Sequence, residues 1–164
     1  LFPHKADVVG EVILVGNMPD IGLSPYATSL GPNAGPYLSD VITQYNAALD
    51  QALATLAPVC ADSIQVFDSF QMLNDVYAAP ADYGLSNVTE PCLVMDGQAV
   101  VSVCGNPEEY LFWDGVHPST ATHEIFSGLI RDAFCGTGSE HPGLRAKPNG
   151  MPPAKWRGVC YGTK

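Results

Sequence analysis

The chain has 164 residues, the size of one ordinary domain, and 46% of them are hydrophobic while only 15% are charged. This composition excludes intrinsic disorder, and no apolar run approaches the roughly 18 residues that cross a membrane. A net charge of −10 argues against nucleic acid as a partner, because phosphate backbones repel an acidic protein. Residues 1–136 carry two cations and sixteen acids, whereas residues 137–164 carry five cations and one acid. We therefore expect a folded body over 1–136 and a Gly- and Pro-rich cationic tail over 137–164.

Five cysteines occur without a C-x-x-C pair, which argues against a zinc or thioredoxin-type site and favours disulfides in a secreted protein. The odd number leaves at least one thiol unpaired or bonded to another chain. The four histidines lack the spacing of metal ligands, so we expect no metal. The first residue is Leu1, without an initiator Met or a signal segment, and the expectation is a mature or excised chain.

The predicted elements begin with a β-branched run at Val8–Val15, which indicates a buried parallel strand. A loop rich in Gly, Pro, Ser and Asn follows over residues 22–36. Apolar residues at helical spacing from Leu38 to Leu56 predict a helix that Pro58 ends. Ser63–Asp68 then predicts a second buried strand.

A short helix is predicted at Phe70–Tyr77, followed by a loop-rich region over 80–110 with one strand at Ala99–Val103. Ser119, after Pro118, has the position of a cap or first-turn residue of a final helix. Strands and helices in alternation indicate an α/β layered fold with a parallel sheet. Ligands of such sheets gather at the carboxyl ends of the strands, and three groups stand at or after such ends: Asn17, the Asp68-Ser69 pair, and the Asp114–His117 segment before the last helix.

The segment 110–118 (Tyr-Leu-Phe-Trp-Asp-Gly-Val-His-Pro) carries the clearest chemical signal. Asp114 and His117 lie three residues apart on a short turn, where a carboxylate can fix one imidazole tautomer while the imidazole takes a proton from a nucleophile. The alternative is a loop histidine beside a helix-capping acid. The aromatic residues at 110–113 either line an acyl pocket or fill the core below the turn.

Two segments resemble blocks of one enzyme family. Segment 113–118 (Trp-Asp-Gly-Val-His-Pro) resembles the last conserved block of the SGNH (GDSL-type) hydrolases, and segment 15–22 (Val-Gly-Asn-Met-Pro-Asp-Ile-Gly) resembles the block that supplies the family's Asn. The similarity covers roughly residues 8–134 and is greatest to the secreted lipase, phospholipase and haemolysin-like branch. It implies a flavodoxin-like α/β/α parallel sheet and an esterase or lipase that acts on acyl esters or lipids without a cofactor.

The resemblance also implies residue roles. His117 becomes the general base, Asp114 its orienting partner, and Asn17 a donor to the oxyanion, for which a neutral amide is suited. The loop between Cys92 and Cys104 is expected to be closed by a disulfide. Cys135 and Cys160 then remain to tie the tail to the last helix, with Cys60 unpaired, although the sequence alone allows fifteen pairings with one free thiol.

The nucleophile is the departure from the family pattern. The family's serine block precedes the Asn block, yet residues 1–16 contain no Ser and the chain has no Gly-x-Ser-x-Gly elbow. Three explanations stay open: an incomplete domain whose Ser comes from a complementing chain or from self-association, a non-catalytic binding module of the same fold, or a recruited Ser. Ser69 is the candidate for recruitment, because it follows the second predicted strand. A polysaccharide deacetylase-like esterase differs from the leading hypothesis only in substrate.

Overall fold

The computed structural model describes residues 13–60 and 64–135. Within these residues the chain forms six strands, four α-helices and short 3-10 turns. The strands are β1 (Ile13–Gly16), β2 (Ile64–Phe67), β3 (Asn87–Pro91), β4 (Leu93–Asp96), β5 (Ala99–Val103) and β6 (Tyr110–Phe112). The helices are α1 (Pro25–Ser29), α2 (Ala34–Cys60), α3 (Ser69–Ala78) and α4 (Thr120–Cys135).

Two of the strand pairs are parallel. β1 pairs with β2 in a register that sets Val15 beside Val66, and the long helix α2 makes the connection between them. β3 pairs with β6, while β4 and β5 form an antiparallel hairpin. The predicted α/β class with parallel strands is confirmed.

The first two strands are less buried than the sequence predicts. The predicted strand Val8–Val15 is described only from Ile13 onward, and Ile13 and Leu14 are 56% and 42% exposed. Val66 of β2 is 47% exposed. The prediction of buried strands is therefore wrong for the described residues, because β1 and β2 form a two-stranded sheet by themselves and keep part of their apolar surface in contact with solvent.

The core lies where α3 and α4 pack around β6. Leu111 of β6 and Val76 of α3 are fully buried, and Leu129 of α4 is nearly so. Partly buried aromatic and aliphatic side chains complete this cluster, among them Phe67, Tyr77, Ile125 and Phe126. Burying the apolar faces of two helices against β6 holds the turn that follows β6 on a rigid base.

Several segments are more regular than predicted. The loop over 22–36 contains α1, where Ser24 accepts the Ala27 N–H and Pro25 occupies the first helical turn. The region 80–110 contains β3 and β4 besides the predicted strand, which is β5. The helix α2 extends to Cys60, so Pro58 lies within its last turn instead of ending it.

The disulfide between Cys92 and Cys104 is confirmed, with the two Cα atoms 4.8 Å apart. It brackets the β4–β5 hairpin. The predictions for the pairing of Cys60, Cys135 and Cys160, and for the tail over 137–164, lie outside the side chains that the structure describes. Among the described helices, none has the length and apolarity to cross a membrane.

Candidate active site

A tight turn after β6 carries the predicted base. Phe112 and Pro118 bridge the two sides of this turn, and the Trp113 N–H donates to the His117 carbonyl over 2.8 Å. Inside the turn, Asp114 Oδ1 accepts the backbone N–H groups of Val116 and His117, each at 2.8 Å. The Asp114 side chain therefore fixes the backbone of the turn, as Asx turns do.

The same carboxylate holds the imidazole. His117 Nδ1 lies 2.8 Å from Asp114 Oδ2 and 3.0 Å from Oδ1. The His117 side chain is 75% exposed and that of Asp114 is 32% exposed. With Nδ1 held by the carboxylate, Nε2 is the nitrogen available for proton transfer at the surface. The turn thus has the geometry of the acid and base of a serine hydrolase.

The environment of Asp114 favours its charged form. Partial burial raises the pKa of the carboxyl, but the hydrogen bonds from the His117 and Val116 backbones, together with the His117 side chain, outweigh it. The net result is an Asp114 pKa below the usual value of 3.8. Asp114 is therefore a carboxylate across the neutral range and can stabilise a positive charge on His117.

Asn17 lies at the carboxyl end of β1 with its side-chain amide held at both atoms. Nδ2 donates to Asp68 Oδ1 over 2.7 Å, and Oδ1 accepts the Phe70 N–H at 2.9 Å. These contacts use one of the two N–H bonds and leave the second for a ligand. An amide with this fixed orientation is suited to donate to a developing oxyanion.

Ser69 lies against Asn17 at the first position of α3. Its hydroxyl donates to the Asn17 carbonyl oxygen and lies 3.1 Å from Asn17 Oδ1. Ser69 is only 7% exposed. Parallel pairing of β1 with β2 brings these two residues together from 52 positions apart, as the strand-end argument predicts.

The predicted site residues form two groups in the structure. Asn17 and Ser69 make one, and Asp114 and His117 make the other. In the described part of the chain, no hydrogen bond joins one group to the other. Ser119, the other serine near the base, is buried and accepts the Thr122 N–H at 3.1 Å, so it caps α4 as expected.

Two polar residues that the sequence did not single out for a role hold the Asn17 loop. Asn46 of α2 accepts the Met18 N–H at 2.8 Å and donates to the Met18 carbonyl at 2.9 Å. Asp20 is 3% exposed and accepts hydrogen bonds from the Gly22 N–H and the Ser39 hydroxyl. The sequence contained one indication of this role for Asn46. It lies four positions after Ile42, and both residues are on the buried face of α2.

A direct contact joins the first helix to the turn that carries the base. The Tyr26 N–H, in the first turn of α1, donates to the Gly115 carbonyl over 2.8 Å. Leu111 and Phe112 are buried in the core below the turn, whereas Trp113 is 38% exposed. In residues 13–60 and 64–135, no three His, Cys, Asp or Glu side chains are grouped as a metal site would need.

The described residues form an α/β fold with parallel strands, and the turn after β6 holds a histidine against a carboxylate. The family model of GDSL-like lipase/acylhydrolases matches residues 4–130. The chain belongs to this family, as the two sequence blocks indicate, and its fold is the flavodoxin-like α/β/α fold of SGNH hydrolases. The parallel strands and flanking helices of the described residues agree with that assignment.

Comparison with curated proteins gives relatives of the same family. The chain is 30% identical over 135 residues to GDSL esterase/lipase APG of Arabidopsis thaliana, covering 73% of this chain and 38% of that protein. It is 28% identical over 128 residues to GDSL esterase/lipase EXL2 of Arabidopsis thaliana, covering 70% and 34%. It is also 33% identical over 72 residues to the thermolabile hemolysin of Vibrio parahaemolyticus, covering 37% and 17%. The match therefore spans little more than a third of the plant relatives.

Proposed function

We propose that this chain contributes the base, the orienting acid and the oxyanion donor of a serine-type carboxylic ester hydrolase, an esterase or lipase. The observation that carries the proposal is the Asp114–His117 pair, in which both carboxylate oxygens lie within 3.0 Å of Nδ1. The family membership supports hydrolysis of esters in general. The specific roles of the residues rest on the local geometry.

The reaction follows from these positions. A serine hydroxyl attacks the ester carbonyl carbon while His117 Nε2 takes the hydroxyl proton, and the carbonyl oxygen becomes an oxyanion to which the free Asn17 N–H donates. Collapse of the tetrahedral intermediate breaks the bond to the alcohol, which receives the proton from His117. Water then gives a proton to His117 as it attacks the acyl carbonyl carbon. The bond to the Ser oxygen breaks, the Ser oxygen takes that proton from His117, and the carboxylic acid leaves. No step requires a cofactor.

The nucleophile can lie within these 164 residues or outside them. Ser69 is next to Asn17, but its hydroxyl is buried and donates to the Asn17 backbone. To attack an ester it must release that hydrogen bond and approach His117. The alternative is a Ser from a complementing chain or from a second copy, and the exposed apolar residues of β1 and β2 offer a surface for it. We favour the second source because Ser69 is already engaged.

A second candidate function is a non-catalytic binding module that keeps the fold and the disulfide. The observation in its favour is again Ser69, whose hydroxyl serves the structure of the Asn17 loop. We further propose that the protein works in an oxidising, extracellular compartment, in line with the Cys92–Cys104 disulfide. Its acidity makes nucleic acid an unsuitable partner.

A fluorophosphonate probe tests the hydrolase proposal on the 164-residue chain. We expect one labelled Ser, located by mass spectrometry on this chain or on an added serine-bearing chain, with labelling lost in His117→Ala and kept in His123→Ala, a change at an exposed histidine of α4. An adduct at Ser69 would assign the nucleophile to this chain. Labelling that requires a second, serine-bearing chain would show that the nucleophile comes from that chain. Absence of labelling and of turnover of short acyl esters under both conditions would overturn the hydrolase proposal and favour the binding module.

A further inference from the structure

A small apolar cavity lies between the Asn17 loop and the turn that carries His117. Its volume is about 70 Å³. Pro19 and Ile21 line it from the Asn17 side, and Val116 and Pro118, the two neighbours of His117, line it from the other. We call this space the inter-loop cavity. Neighbours of Asn17 and of His117 in the chain thus line the cavity, although these two residues do not line it themselves.

The walls of the inter-loop cavity suit an apolar guest. Leu111 and Phe112, both almost fully buried, contribute to its lining. Two hydroxyl-bearing residues also line it, but their hydroxyls are already used: Thr122 donates to the Leu111 carbonyl at 2.7 Å, and Ser24 donates to the Ile21 carbonyl at 2.7 Å. A polar guest would therefore lose its hydration without a compensating hydrogen bond. Val116, which is 44% exposed, also lines the cavity.

We propose that the inter-loop cavity binds the short alkyl group of the ester and so sets a preference for short chains. A cavity of about 150 Å³ holds a benzene ring, and half of that volume holds about three or four carbon atoms. The acyl chain of an acetyl-to-butyryl ester has this size. The inference rests on the proposed ester hydrolysis for its kinetic consequence, but binding of an alkyl group is measurable without turnover.

The alkyl group can belong to either side of the ester. The acyl chain begins at the carbonyl carbon, next to the oxyanion that Asn17 would bind, and the alcohol departs toward His117. A series of p-nitrophenyl esters from acetate to octanoate varies the acyl side alone. A series of acetate esters from methyl to octyl alcohol varies the alcohol side alone. Whichever series responds to changes in the cavity identifies the group that occupies it.

Val116 offers a matched pair of substitutions. Val116→Ala enlarges the inter-loop cavity, and Val116→Phe narrows it. Val101→Ala and Val101→Phe are the controls, because Val101 is 62% exposed on the β4–β5 hairpin and does not line the cavity. Where the chain turns over esters, we expect the ratio of kcat/KM for butyrate over octanoate to fall about tenfold in Val116→Ala. In Val116→Phe we expect the optimum to move to acetate, with both controls like the wild type.

If no ester turnover is found, a binding measurement tests whether the inter-loop cavity holds an alkyl group. Butyramide carries the same alkyl chain and cannot form an acyl-enzyme readily, so it is titrated into methyl-labelled protein. We expect saturable shifts of the Val116 and Ile21 methyl signals, no shift for Val101, and loss of the Ile21 shift in Val116→Phe. Shifts without ester turnover would support the cavity assignment while the hydrolase proposal fails. Turnover with an unchanged chain-length profile in both Val116 variants, or no turnover and no methyl shifts, would overturn the inference.

Discussion

The Asn17 amide donates to Asp68 Oδ1 over 2.7 Å, and this hydrogen bond joins the loop after β1 to the loop after β2. Asp68 Oδ1 also accepts the Gln71 N–H at 3.0 Å and so caps α3. Asp68 Oδ1, directly after β2, therefore caps the N-terminus of α3 and also orients the Asn17 amide that is proposed to bind the oxyanion. Asp68 acts through Asn17, as a positioning residue.

Replacing Asp68 with Ser separates its contact with Asn17 from its capping of α3. In Asp68→Ser the shorter side chain still caps α3 but does not reach Asn17, so we expect unfolding free energy within about 0.5 kcal/mol of the wild type. The Asn17 side-chain amide should become mobile, seen as faster hydrogen exchange and a changed chemical shift. Where esters are hydrolysed, kcat should fall about tenfold with little change in KM, less than the loss of a whole oxyanion donor. Asp68→Asn keeps the acceptor and should restore the amide signal; an unchanged signal in Asp68→Ser would contradict this role.

Asn46 is expected to be the side chain of α2 on which the Asn17 loop most depends. Asn46→Ala leaves the Met18 N–H and carbonyl without their partner, and we expect a loss of about 2–4 kcal/mol in chemical denaturation. Asn46→Asp should not rescue, because a carboxylate oxygen would then face the Met18 carbonyl. The control is Gln44→Ala, which removes an exposed hydrogen bond to Asp40 on the same helix and should cost less than about 0.5 kcal/mol. Equal losses for the two sites would show that the loop does not depend on Asn46.

The contact between Asp114 and His117 could be predicted because it is local. Three residues on a tight turn restrict the side chains to neighbouring positions, and the structure shows the expected contact. The meeting of Asn17 with Ser69 followed from a different rule, since parallel strands end at the same edge of their sheet. The first prediction needed only the position of the turn, and the second needed only the recognition of two parallel strands.

Other contacts depend on packing that the sequence pattern does not carry. Asn46 reaches Met18 from 28 residues away, and nothing in helical periodicity says which polar residue faces inward. The pairing of Asn87 with Tyr110 joins two short strands without an alternating pattern. The exposure of Ile13 was missed for the opposite reason: an apolar strand predicts burial, yet the described residues leave more than half of this residue exposed.

The lowered pKa of Asp114 predicts a pH dependence of stability. A carboxyl whose pKa is lower in the folded than in the unfolded state stabilises the fold above its unfolded pKa, and this contribution disappears as the pH falls through the folded pKa. Asp114→Asn should therefore reduce the difference in unfolding free energy between pH 6 and pH 3, by less than about 1 kcal/mol at so exposed a pair. Asp50→Asn, at an exposed position of α2, is the control for the loss of one charge. A larger pH effect in Asp50→Asn than in Asp114→Asn would contradict the assignment.

The Cys92–Cys104 disulfide should stabilise the region below the His117 turn. It closes a loop of 12 residues, and the Cys92 N–H donates to the Phe112 carbonyl at 3.1 Å, directly before that turn. The double variant Cys92→Ala/Cys104→Ala should lose about 2–4 kcal/mol of unfolding free energy, measured in urea at neutral pH. The reducing agent dithiothreitol should lower the stability of the wild type more than that of the double variant, in which only the disulfide expected between Cys135 and Cys160 remains to be reduced. A variant as stable as the wild type would show that the hairpin, and not the covalent bond, fixes this end of β6.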